Sequence, residues 1–468
     1  MRRPLLSGLA VLAGCTIGPA YKRPGFDIPL AFRASAATAT AAWPASDWWR
    51  NFRSDELNTL IDRARAYNND LVAAGARLIQ ADAQVRVSGA PLLPSVTGAG
   101  NFSYQRIGTG GSSGGSGGGN RYFDSRNYSL SLQVSYDVDF WGRNRALFQS
   151  AQANALASFF DQETIALSVV SSVANTYFAL LAAQDRLRVA YRNLHDAERI
   201  LAAFQERLGA GTANALDVSQ QEALVAGVRA NIPNLKNTVE QQRIGLAILL
   251  GTPPEQVNPR GGSLDDVVLP DVAPGLPSEL LLRRPDVAFT EMQLVAANAS
   301  VRAARAAFFP NLTLTAGGGL SSAALSAITG PGTLVASLAS ALTQPIFDNG
   351  LLRGQLEIAK GRYLELAAGY AKAIIQSFTD VEQALALSQY ATEQETLERE
   401  AVRVAQRSAD IARSQLEAGT IDIITSLNTQ TTLYSDLDLL IQVRLARFQA
   451  LVNLYKALGG GFQVGPMS

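Results

Sequence analysis

Tyr128-Ser-Leu-Ser-Leu-Gln-Val-Ser-Tyr-Asp-Val138 alternates without a break. Tyr128, Leu130, Leu132, Val134, Tyr136 and Val138 are apolar, while Ser129, Ser131, Gln133, Ser135 and Asp137 are polar. Period two marks a strand with one face in an apolar medium and the other in water. The length matches a tilted membrane strand of about 9–11 residues, and the tyrosines near its ends fit interfacial girdles. The strand is expected over about 127–138, with a weaker companion over about 95–106 that carries Val96, Phe102 and Tyr104. Between them lies the Gly/Ser-rich run from Gly108 to Asn120. It has no Gly-Lys-Ser/Thr and no helix start behind it, so it reads as a flexible loop and not a phosphate loop.

The second half of the chain offers a strand over about 311–319, where Leu312 and Leu314 alternate with Thr313 and Thr315. Its partner, over about 333–345, is rich in Ala, Ser and Leu. Four membrane strands cannot close, and an open edge in lipid leaves backbone groups unpaired. The smallest self-contained barrels have about eight strands. If these strands span a membrane, several chains must share one barrel.

The two pairs of strands belong to a duplication. Ala81-Asp-Ala-Gln-Val-Arg86, leading to Pro94 and Thr97, returns as Ala297-Asn-Ala-Ser-Val-Arg302, leading to Pro310 and Thr313, and 297 − 81, 310 − 94 and 313 − 97 all equal 216. Leu208-Gly-Ala-Gly-Thr212 returns as Leu416-Glu-Ala-Gly-Thr420, and Leu249-Leu-Gly251 as Ala457-Leu-Gly459, at a spacing of 208. The eight-residue change falls in the stretch holding the Gly/Ser run. A repeat of about 200 residues is too long for a solenoid unit; two halves of one body are expected.

The rest reads as helix. From Trp141 to Leu208 there is no Pro and little Gly, over about 67 residues, which at 1.5 Å per residue is about 100 Å. Leu187, Ala190, Leu194, Ala197, Leu201, Phe204 and Leu208 are spaced 3-4-3-4-3-4, a coiled-coil seam with small knobs. The second copy matches over about Leu352 to Leu416, with Leu397, Ala401, Val404 and Ile411. Each long helix turns at a Gly-Thr step and returns through about 37 residues, and shorter helices are expected over about 55–91 and 278–308. His195 falls one residue past Leu194, off the seam, and reads as an exposed residue without a chemical role.

Composition removes several classes. Net charge is zero and 17% of residues are charged, so no basic footprint for nucleic acid exists. One His and one Cys exclude a His/Cys metal site, a disulfide framework and a His-based triad. No cofactor is expected. The Cys ends Leu12-Ala13-Gly14-Cys15, after Arg2, Arg3 and an apolar run from Leu5 too short to span a bilayer. This looks like a bacterial lipobox, with Cys15 as the acceptor of a covalent lipid; Thr16 in place of Asp favours the outer membrane. The expected organisation is a signal peptide over 1–14, a lipidated extended segment over 15–54, a first repeat over 55–250, a Pro-rich connector over 251–277, a second repeat over 278–459 and a tail over 460–468.

Cys15-Thr-Ile-Gly-Pro19-Ala-Tyr21-Lys-Arg-Pro24, Leu276-Pro-Ser-Glu-Leu-Leu-Leu-Arg283-Arg284-Pro285-Asp286-Val, Phe308-Phe-Pro310 and Asn453-Leu-Tyr455-Lys-Ala-Leu-Gly459-Gly-Gly461 resemble the outer-membrane factor (TolC-like) family, in the nodulation-type branch of efflux lipoproteins. The resemblance implies a mixed α and β membrane protein: four transmembrane strands per chain in a shared 12-stranded homotrimeric barrel, continued by a long periplasmic α-helical barrel. It implies a passive exit duct, docked to a periplasmic adaptor and an inner-membrane pump and seated in outer-membrane lipid. Gly209, Gly211, Thr212, Gly419 and Thr420 match the tips where an adaptor would dock. Asp217 and Asp422 are the candidate periplasmic gate. Family members often place Asp two residues beyond the turn Gly, whereas here Ile421 stands there and Asp422 follows, a step of about 100° on a helix.

The leading function is efflux of small molecules, such as drugs and toxic compounds. Alternatives are a type I-like protein-secretion duct and a non-conducting, periplasm-spanning structural lipoprotein. An envelope hydrolase is disfavoured, because no nucleophile–base arrangement is visible.

Overall fold

The structure is a computed structural model that describes residues 17, 18, 20–27, 32, 44–109, 121–270 and 283–462. Cys15, the bulk of the Gly/Ser run, the end of the Pro-rich connector and the last six residues lie outside them. The order is α1 (Asp55–Tyr67), α2 (Asn69–Gly89), β1 (Ser95–Thr109), β2 (Arg121–Val138), α3 (Arg143–Gly209), α4 (Ala215–Leu249), α5 (Pro285–Ala306), β3 (Asn311–Ser322), β4 (Leu334–Thr343), α6 (Leu351–Glu417) and α7 (Ile423–Ala457). The chain divides into two compact units, and α2, α3, α5 and α6 each contribute to both.

The first unit comprises Met1–Pro24, Ile79–Ala157 and Glu291–Gly369 and holds one antiparallel sheet in the order β1-β2-β3-β4. Directly opposed residues share a face. Leu130 lies opposite Gly100 and Leu320, and Leu132 opposite Gly98 and Gly318, which continues the apolar face across three strands. Gln133 lies between Thr97 and Gly317, and Ser129 between Asn101 and Ser321, on the polar face. β1 and β2 run to Thr109 and from Arg121, beyond the expected 106 and 127. Alternation of apolar residues stops there, but backbone pairing does not need it. β3 also runs further, to Ser322, and β4 is shorter, Leu334–Thr343. Below the sheet, the Trp141 ring stacks on Phe309 at 4.7 Å, and its Nε1 donates to the Pro310 carbonyl at 2.8 Å. The exit from β2 in the first repeat is thereby tied to the entry into β3 in the second.

The second unit comprises Gly25–Leu78, Ser158–Thr290 and Tyr370–Ser468. Its core gathers Trp48, Phe52, Leu57, Ile61, Phe178, Leu181, Leu246, Phe448, Val452 and Tyr455. Trp48 stacks on Tyr455 at 4.7 Å, and Phe178 lies 4.8 Å from Phe448. The middle of α3 is apolar enough to cross a membrane by composition. Val173, Ala174, Phe178 and Leu180 instead form part of this core. Phe32 packs separately against Val381, Ala384, Leu385 and Leu454.

One expectation is corrected here, and another lies outside the described residues. The helix expected over 55–91 breaks at Asn68, which is extended (φ −63°, ψ 127°). Asn68 Oδ1 accepts from the Asp70 and Leu71 amides at 2.9 and 3.1 Å, an N-cap that ends one helix and starts another. The start expected at 278 falls outside the described residues; α5 runs from Pro285, a first-turn proline with no donor to lose.

The seams also differ between the repeats. Ala190 packs on Ile232 and Leu235, and Phe204 on Val218, so the α3 seam meets α4. In the second repeat the buried contact with α7 uses Ala405, Ala409 and Leu433. Leu397, Val404 and Ile411 stay 65%, 51% and 49% exposed, and Tyr390, seven residues before Leu397, is 64% exposed. Among the described residues, a heptad-spaced apolar stripe on α6 is therefore left about half or more exposed.

Candidate functional site

The two Gly-Thr turns are built alike. At the end of α3 the Gly211 amide donates to the Leu208 carbonyl at 3.0 Å, and the Thr212 amide to Arg207 at 2.9 Å. At the end of α6 the Gly419 amide donates to Leu416 at 3.1 Å, and Thr420 to Gln415 at 2.9 Å. Both are Schellman closures, with glycine at φ +77° and +70° satisfying carbonyls the helix leaves open. Each threonine hydroxyl donates again to the same carbonyl, at 3.1 and 3.0 Å. Gly209 is the last helical residue of α3. The repeated Gly-Thr is thus a turn device, and its loops present polar backbone outward.

The structure brings the two turns together. The Arg207 guanidinium donates to the carbonyls of Leu416 and Glu417 at 3.2 and 3.1 Å, placing a cation at the negative end of α6. Beneath it, Phe204, Val218, Leu416 and Ile423 form one buried cluster, with Ile421 and Leu427 packed on it. A cavity of about 230 Å³ opens beside it, lined by Arg199, Ile200, Phe204, Arg207, Arg413 and Leu416. Sequence reading missed Arg207; a basic residue in the last turn before a Gly C-cap was the available signal.

Both candidate gate acids are helix caps. Asp217 is the third residue of a capping box: the Asn214 side chain accepts from its amide at 2.9 Å, and its carboxylate accepts from the Asn214 amide at 3.3 Å. Asp422 is the N-cap of α7 and accepts from the Thr425 amide at 2.7 Å. That bond and the Thr425 hydroxyl hold the fully exposed carboxyl below the usual aspartate range. Ile421, two residues beyond the turn glycine, packs on the apolar cluster. His195 is exposed on α3.

Further from the tips, Arg284 is a buried node that sequence reading took only as part of a motif. Its guanidinium donates to Asp286 at 2.6 and 3.0 Å, to Asp380 at 2.8 Å, and to the Ser377 and Ala457 carbonyls at 3.3 and 3.2 Å. The Arg-Pro-Asp order lets one residue serve the last carbonyl of α7 while Pro285 and Asp286 begin α5.

An antiparallel sheet with one apolar and one polar face, continued by paired helices of 67 and 35 residues, defines an outer-membrane channel of the efflux class. The chain belongs to the outer membrane efflux protein family, which it matches over residues 60–252 and 276–460. It is 40% identical, over 98% of its length and 96% of the relative's, to a pyoverdine export outer membrane protein, OpmQ, of Pseudomonas aeruginosa. It is 31% identical to the cation efflux system protein CusC of Escherichia coli, over 97% of each chain. Its fold superposes on the open-state MtrE outer membrane channel of Neisseria gonorrhoeae with a TM-score of 0.86, 29% identity, and coverage of 96% of this chain and 99% of that one. The protein is an outer-membrane exit duct of an efflux pump.

Proposed function

We propose that three copies of the chain share one 12-stranded barrel and form a passive duct for small exported molecules, with no catalytic residues of its own. The observation that carries this reading is the sheet. β1 and β4 are its two edges, and such edges cannot face lipid unpaired. The exposed stripe Tyr390, Leu397, Val404 and Ile411 supports self-association, since heptad-spaced apolar residues call for a facing helix. The polar face carrying Ser129, Ser131 and Gln133 lines the lumen, and Leu130 and Leu132 face lipid. Mass measurement in mild detergent and single-channel recording in planar bilayers test this. A stable monomer, or a trimer without conductance, removes the reading.

The tips at Gly209, Gly211, Thr212, Gly419 and Thr420 serve as the docking point for a periplasmic adaptor, and an inner-membrane pump supplies the energy. Asp217 and Asp422 take part in closing the periplasmic end. Cys15 is the lipidated mature N-terminus, which places the chain in the lipoprotein branch of the family. The 40% identity with a pyoverdine exporter supports a small-molecule cargo over secreted protein.

A further inference from the structure

Ladder pairing puts Val138, Tyr136, Val134, Leu132, Leu130 and Tyr128 on one face of β2. Strands rise about 3.3 Å per residue, and barrel strands tilt about 35–45°, so each residue gains about 2.5 Å of height. The step from Val138 to Tyr128 therefore spans about 25 Å, the height of the apolar band of such barrels. Phe102 pairs with Tyr128 at its upper edge, with ring centroids 4.7 Å apart. β3 stops there, opposite Tyr128. β2 continues to Arg121, paired with β1, away from the end joined to α2 and α3.

On that same outward face Arg126 lies opposite Tyr104, and Asp124 opposite Arg106. Arg126 is about 5 Å above the apolar band by the same rise and tilt, where hydrocarbon gives way to headgroups. Its guanidinium lies over the Tyr104 ring at 5.9 Å, and that of Arg106 over Tyr122 at 5.4 Å. Arg106 grips Asp124 with two bonds of 2.7 and 3.1 Å, so these two charges cancel. Among the described residues Arg126 is in no ion pair, which leaves one positive charge per chain at headgroup height, backed by exposed tyrosines. A guanidinium laid on an aromatic face keeps its fork free for a planar pair of phosphate oxygens.

We propose that Arg126, with Arg106 and the rings of Tyr104 and Tyr122, forms a site for the phosphate of an anionic outer-leaflet lipid headgroup. The site rests on the shared-barrel reading, which sets the outward face and the height. An arginine near an anionic surface contributes about 1 kcal/mol, close to a fivefold change in retention. The full-length protein is reconstituted in phosphatidylcholine nanodiscs with a minor fraction of lipid A, a bisphosphorylated glycolipid. Lipid A retained per protein after extraction is read by native mass spectrometry. Arg126→Gln lowers retention about fivefold, Arg126→Lys keeps most of it, and Asp124→Asn raises it. All three keep wild-type assembly and conductance, which shows that they fold. Wild-type retention in the Arg106→Gln/Arg126→Gln double variant overturns the proposal, as does a wild-type protein with no preference for lipid A over phosphatidylcholine. Loss of conductance in the wild type sinks the shared barrel instead, and is read separately from lipid retention.

Discussion

Asn68 and Arg284 occupy the same place in the two halves of the chain, 216 residues apart. Each reaches the carbonyl of the last residue of a returning helix: Asn68 Nδ2 donates to Leu249 at 2.9 Å, and Arg284 to Ala457 at 3.2 Å. The acceptors are 208 apart, so the two offsets of the duplication meet in one contact. Asn68 caps its own helix with the same side chain, whereas in the second half Arg284 needs Asp286 and Asp380 to balance its charge. Asn68→Ala is expected to cost about 1–3 kcal/mol, for a lost cap and a buried bond. Arg284→Met, which leaves two carboxylates without their cation, costs about 3–5 kcal/mol. Thermal unfolding of the purified protein in mild detergent checks both, and Arg284→Lys restores only part because it cannot fork.

Glycines at equivalent turns differ in what surrounds them. A Cβ on Gly251 collides with the Tyr67 carbonyl, and one on Gly459 with that of Arg283; at Gly211 and Gly419 it meets nothing within 4 Å. Gly211→Ala and Gly419→Ala therefore carry only the left-handed backbone penalty of about 1–2 kcal/mol. Gly251→Ala and Gly459→Ala must also displace backbone, and are expected to abolish accumulation of folded protein. Yields and melting temperatures of the four variants test the ranking.

In the proposed barrel, Leu132→Arg places a charge in mid-band on the lipid-facing side and is expected to cost about 2–4 kcal/mol. Gln133→Arg, one residue on, faces water and is tolerated. Urea unfolding in a defined bilayer measures both; equal tolerance means the register is wrong.

At the tips, replacing Asp422 by Ala removes the cap of α7 and a charge beside the second turn. Raised single-channel conductance and greater permeability of cells to large antibiotics are expected, with assembly intact. The carboxyl lies below its ordinary range, so it remains ionised at neutral pH and its cap is lost only as pH falls through that lowered value. Unchanged conductance in the Asp217→Ala/Asp422→Ala double variant transfers closure to apolar residues such as Ile421 and Leu427.

Glu395 is 2% exposed and accepts from Arg399 at 2.6 Å and Arg447 at 2.8 Å. Burial favours its neutral form, but Arg447 and Arg399 outweigh that and hold it below the usual glutamate range. A lowered folded pKa stabilises above the unfolded value of about 4.3 and is lost as pH falls through the folded one. The melting temperature should fall below about pH 4, and Glu395→Gln should flatten that dependence while lowering stability at neutral pH.

The period-two run Tyr128–Val138, the 216 and 208 spacings and the long Pro-free helices were all legible along the chain, because strand, repeat and helix are each local periodicities. The Gly-Thr turns were legible too, since a left-handed C-cap demands glycine wherever a helix stops. Leu397, Val404 and Ile411 were legible as apolar and heptad-spaced, yet the returning helix meets Ala405 and Ala409 beside them. Periodicity names a helix face without naming what meets it.

Contacts between distant segments leave no such trace. Arg207 on the carbonyls of Leu416 and Glu417 depends on the two halves folding against each other, and Arg284 between Asp380 and Ala457 on elements 96 and 173 residues away in its own half. The break at Asn68 belongs with them, since its side chain is held by Leu249 from a returning helix. Pairing register does as well: which of Arg126 and Asn127 lies opposite Tyr104 depends on how β1 pairs with β2, and a shift of one residue exchanges them. Residue chemistry and spacing settle what each element is; hydrogen bonding and packing between distant segments settle which side chains meet.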